Sequence, residues 1–208
     1  MINRDTIERI PTEKLHDPDM LASIEREVLA LTDEDDRSDL CYSLATRFIT
    51  EGNLERAEFF TRLMETWPIE RTWFLGDIAV KLWRSGQTEH ALQLLNEAIS
   101  TARTNGSEWQ RAEALSKLAT HLIELRQSAQ AISLLREAVP IAQLGEEQGA
   151  LQDSLDSASV IQELAEKLAL AGEYEEAQDV ANSIKHAVRQ GRAARAVQII
   201  IDSNLSAG

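Results

Sequence analysis

The chain has 208 residues, 43% of them apolar, enough to build a continuous core, which excludes disorder as its main state. Its 21 Lys and Arg against 35 Asp and Glu give a formal net charge of −14, which repels phosphate backbones and anionic lipid surfaces. Nucleic acid and membranes are therefore excluded as partners, no apolar run approaches a membrane span, and a single cysteine rules out an intrachain disulfide.

Ala, Leu, Glu, Gln and Arg dominate, and strand-favouring stretches are scarce, so the expected fold class is all-α. Met1 to Leu15 carries charges throughout and lacks the apolar segment of a signal peptide, which sets the expected location as cytoplasmic. Met20, Leu21, Ile24, Val28 and Leu31 fall on one helical stripe, predicting an N-terminal capping helix within residues 1–32. Asp33-Glu34-Asp35-Asp36 follows. A calcium loop needs a bidentate glutamate at its end, where this chain has Leu44, so the cluster reads as a helix start: Thr32 or Asp33 caps, and the carboxylates complement the helix dipole.

From there the chain repeats itself. Leu44-Ala45, Gly52 and Ala57 recur as Ile78-Ala79, Gly86 and Ala91, and again as Leu164-Ala165, Gly172 and Ala177. A weaker copy is Leu118-Ala119, Arg126 and Ala131, with arginine in the glycine's place. Each copy predicts two helices joined by a tight turn, the glycine supplying a left-handed backbone and the alanines a close helix approach. The expected units are residues 38–68, 72–104, 108–143 and 147–187. Long first helices are expected to absorb the extra residues of the later units, since Leu151, Leu155, Ala158, Ile161, Ala165 and Leu168 keep one stripe. Residues 192–204, with Ala196, Val197, Ile199 and Ile200, predict a C-terminal helix that closes the array or pairs with a second copy of the chain. No Pro-, Gly- or Ser-rich linker interrupts the sequence, so a single domain over 1–208 is expected.

These residues resemble the tetratricopeptide repeat family, whose units place an apolar and a small residue in the first helix, a glycine in the turn and alanines in the second helix. The resemblance covers residues 38 to 187. Its first step, Ala45 to Ala79, is the family's 34 residues; later steps lengthen to 40 and 46. It implies a right-handed solenoid of about four antiparallel helix pairs whose first helices line a concave groove. Counted back from each turn, the implied groove positions are Asp39, Tyr42, Thr46, Ile49 and Thr50, then Trp73, Gly76, Val80, Trp83 and Arg84. The third copy supplies Glu113, Ser116, Thr120, Ile123 and Glu124, and the fourth Ser159, Gln162, Glu166, Ala169 and Leu170. Family members that capture chaperone C-terminal carboxylates use basic and amide groups there, whereas these positions are mostly apolar, small or acidic.

No catalytic, metal or cofactor constellation is legible. His16, His90, His121 and His186 are widely spaced and read as surface or turn residues, and no glycine-rich phosphate loop is present. Cys41 lies one helical turn before Leu44 and reads as a buried small hydrophobe. Tyr42, Trp73 and Trp83 with Arg84 predict an aromatic-floored, acid-rimmed groove for a basic or amphipathic peptide or helix of a partner protein, with Ile49, Val80, Ile123, Glu113, Glu124 and Glu166 completing it. Trp73 and Trp83 packing as core is the competing reading, whereas Trp67 and Trp109 read as wedges between units. The function expected is thus a non-enzymatic interaction module or adaptor. The alternatives are a homo-oligomeric structural protein and, more remotely, an enzyme subunit using Glu113, Glu124 and Glu166.

Overall fold

The computed structural model describes residues 7, 9–15, 17–148 and 151–206. Within them the protein is all-α, without strands. After one helical turn at Thr12–Leu15 come ten longer helices: α1 Pro18–Ala30, α2 Glu34–Glu51, α3 Leu54–Arg62, α4 Pro68–Arg84, α5 Thr88–Thr104, α6 Glu108–Glu124, α7 Ser128–Gln148, α8 Leu151–Leu170, α9 Tyr174–Asn182 and α10 Ala187–Ser206. The chain gathers into two compact units, residues 1–98 and 99–208, with the boundary inside α5.

In the first unit, Asp17 caps α1 by accepting the backbone N–H of Asp19 and Met20, and Pro18 fills the first turn where its missing donor costs nothing. Leu21, Ile24 and Val28 are buried where α1 packs on α2, while Met20 is exposed. Glu25 pairs with Arg56, which ties α1 to α3. Asp33 is the cap of α2, accepting from Asp35 and Asp36 at 3.0 Å each, so the acidic run does what a helix start requires. Arg47 reaches back to the carbonyls of Ile7 (2.5 Å) and Ile10 (2.7 Å) and fixes the N-terminal segment, whose Ile7 and Leu15 are fully buried.

Four turns share one hydrogen-bond pattern. Gly52 donates to the carbonyl of Ile49 and Asn53 to that of Phe48; Gly86 and Gln87 do the same to Trp83 and Leu82, Arg126 and Gln127 to Ile123 and Leu122, and Gly172 and Glu173 to Ala169 and Leu168. The first residue of each turn is left-handed, at φ 79°, 88°, 59° and 90°. Arg126 thus adopts the glycine conformation, the sole non-glycine at positive φ among the described residues. Ala57, Ala91, Ala131 and Ala177 follow the turns at equivalent places, and Ala45, Ala79, Ala119 and Ala165 precede them; all eight are fully buried. Side chains no larger than a methyl at these sites let helices approach closely.

Packing follows the same scheme in each unit. In the first, α3 packs on α2, and α4 packs on both; Phe48 and Phe60 stack with centroids 5.6 Å apart. In the second, α7 packs on α6, α8 on both, α9 on α8, and α10 on both α8 and α9. The expectation that first helices absorb the longer repeats is corrected. The first helices α2, α4, α6 and α8 have 18, 17, 17 and 20 residues, whereas the second helices α3, α5, α7 and α9 have 9, 17, 21 and 9. The additional turns of α5 and α7 remain amphipathic, with Ile99, Ala102, Ala138 and Ala142 buried, and α7 continues through Pro140 despite the missing backbone donor. Of the stripe expected on α8, Ala158, Ile161, Ala165 and Leu168 are buried, Leu155 is half-buried, and the side chain of Leu151 lies outside the described residues.

Gly52, Gly86 and Gly172 have open space where a Cβ would stand, so a side chain there costs only its backbone conformation. Gly172→Ala is expected to lower stability by about 1 kcal/mol, and Arg126→Gly to raise it by up to about 1 kcal/mol, because left-handed geometry is strained for residues with a Cβ. Urea unfolding followed by circular dichroism checks both, as shifts of midpoint in opposite directions at unchanged slope.

Candidate partner-binding surface

In the first unit the first helices are α2 and α4. Tyr42 is half-buried and packs edge-on against Phe74 (centroids 5.0 Å, 76°) and Trp67 (5.9 Å, 65°). Part of its ring is therefore spent joining α2 to the start of α4, where Trp67 occupies the capping position. Phe74 is a member of this cluster that the sequence reasoning missed; it follows Trp73 directly and falls between the groove and packing registers. Thr46 and Thr50 are exposed, but their hydroxyls donate to the carbonyls of Tyr42 and Thr46 at 2.8 Å, as threonines inside helices commonly do.

On α4, Trp73 and Trp83 are both half-buried and Arg84 is exposed. Neither tryptophan is sealed in the core, and neither stands free. Ile49 and Val80 are corrections: at 9% and 7% exposure they belong to the core, because the close approach of α2, α3 and α4 closes over these positions. Gly76 is buried as well.

In the second unit, Glu113 and Thr120 on α6 are half-buried, while Ile123 and Glu124 are exposed, Ile123 at 43%. Ser116 is fully buried: its hydroxyl donates to Glu163 (3.2 Å) and, with its carbonyl, accepts from Lys167 (2.9 and 3.0 Å). Lys167 also pairs with Glu163 at 2.6 Å, so this network bridges α6 and α8. On α8, Gln162 donates to Glu166 at 2.8 Å, Ala169 is buried, and Leu170 is 65% exposed. The groove residues thus divide between the two units: Tyr42, Trp73, Trp83 and Arg84 in the first, and Ile123, Glu113, Glu124 and Glu166 in the second.

The candidate chemical residues are placed as follows. Cys41 is fully buried, and burial pushes its thiol from 9.0 up to about 12 against the opposing pull of the Arg37 guanidinium. His121 is a correction: it is buried on α6 at 7% exposure rather than at a surface or turn. His90 pairs with Glu58 at 3.0 Å, His186 is exposed, and His16 lies outside the described residues. Among the described residues no group of three or more His, Cys, Asp or Glu side chains is arranged to hold a metal ion, and no helix is long and apolar enough to cross a membrane.

Two features escaped the sequence reasoning. Arg37, Arg71 and Arg111 occupy the same place ahead of Gly52, Gly86 and Arg126, and each buries its Nε; the guanidinium of Arg37 reaches Leu31 (3.3 Å) and Glu65 (3.5 Å), and that of Arg111 reaches Glu108 (3.3 Å). Their recurrence is legible once the turns are aligned. Glu146 is buried on α7 and accepts the backbone N–H groups of Lys185 (3.0 Å) and His186 (3.4 Å), which seats the start of α10; nothing in its local sequence signals this.

No family model matches the chain, and no curated protein is significantly similar to it. Among solved structures, the crystal structure of Ton1535 from Thermococcus onnurineus NA1 is similar, with a TM-score of 0.53 and 19% identity over 90% of this chain and 55% of that one. The chain therefore spans about half the length of Ton1535, and the likeness is one of fold.

Because its thiol is buried and weakly acidic, Cys41 in the native protein is expected to resist alkylation at pH 8 and to react fully in denaturant; mass spectrometry after iodoacetamide treatment checks this. The folded-state value exceeds the unfolded one, so the contribution to stability is complete below about pH 9 and declines as the pH rises from 9 toward 12. Replacement of Cys41 by alanine should flatten that part of the stability profile.

Proposed function

We propose that the protein is a non-enzymatic interaction module, an adaptor whose helix pairs are tetratricopeptide-like units and whose first helices hold a segment of a partner protein. The shared hydrogen-bond pattern of the four turns, the buried alanines on either side of them, the packing of α4 on α2 and α3, and that of α8 on α6 and α7 support the repeat reading. The observation that carries the binding reading is on α4, where two half-buried indoles, Trp73 and Trp83, lie on the same helix as the exposed Arg84. Large aromatics that retain exposed area gain most from being covered, and arginine beside them supplies directional donors.

The ligand best matched to this surface is a peptide or helix with apolar residues for the indoles and basic residues for the chain's negative field. A net charge of −14 favours the encounter of such a ligand and weakens as salt screens it.

The test is a panel of synthetic basic amphipathic, acidic amphipathic and extended peptides titrated against the protein, read by tryptophan fluorescence and anisotropy. Basic apolar members are expected to bind with salt-sensitive affinity. Trp83→Ala is expected to weaken that binding at least tenfold while lowering stability by only about 1–2 kcal/mol, below the 3–5 kcal/mol of a fully buried aromatic. A larger stability loss with unchanged binding would make Trp83 a core residue, and equal binding of acidic and basic peptides would remove the electrostatic part of the reading.

A further inference from the structure

We draw no further inference here: the strongest candidate, the acidic surface cavity at the start of α9 lined by Gly172, Glu173, Tyr174, Glu175, Glu176 and Asp179, is a carboxylate cluster whose Glu173 and Glu176 are already paired with Arg136, and nothing in the structure points to a ligand for it.

Discussion

The left-handed turn is the constraint on which the rest of the structure depends. Its two backbone hydrogen bonds satisfy carbonyls that would otherwise be orphaned at the helix end, and they set where the second helix starts. Once that start is fixed, the alanine after the turn and the alanine before it are brought to the places where helices approach most closely, and only a methyl group fits. A glycine alone would give a flexible hinge. The turn becomes a structural unit because the residue after it repeats the same bond in all four copies, and because Phe48, Leu82, Leu122 and Leu168 both accept that bond and fill the core. Arg126 shows that the geometry is imposed by packing rather than chosen by the local residue, since it takes the left-handed conformation without a glycine's freedom.

This explains which parts of the fold were legible in the sequence. The turns, the alanines, the capping role of Asp33 and the burial of Cys41 all follow from short-range pattern, where residue type and helical period decide the outcome. The lengths of the helices were misassigned because an amphipathic stripe extends equally well into either neighbour of a turn; α5 and α7 took the extra residues, and α7 passes through Pro140, where sequence rules would end it. The groove was legible only in part. Ile49 and Val80 sit at the register of groove residues, yet whether such a position closes depends on how nearly the next helix approaches, a tertiary quantity. Phe74 and Glu146 were invisible for the same reason, since each acts on a residue distant in sequence.

Charge is distributed with a similar logic. The second helices carry a succession of ion pairs between units of the repeat: Arg62 with Glu97 at 2.8 Å, Arg103 with Glu137 at 2.7 Å, and Arg136 with Glu173 and Glu176 at 2.8 Å. Each is solvent-exposed and contributes little by itself. Their value lies in register, because each joins a second helix to an element about one repeat further on and opposes sliding of one hairpin past the next. Much of the chain's arginine is used in this way or in tethering segments, as Arg47 and Arg56 do.

The exposed Arg84 directly follows the half-buried Trp83 on α4, the helix on which the proposed ligand would rest. A cation beside an indole suits a ligand that offers apolar side chains together with acceptors.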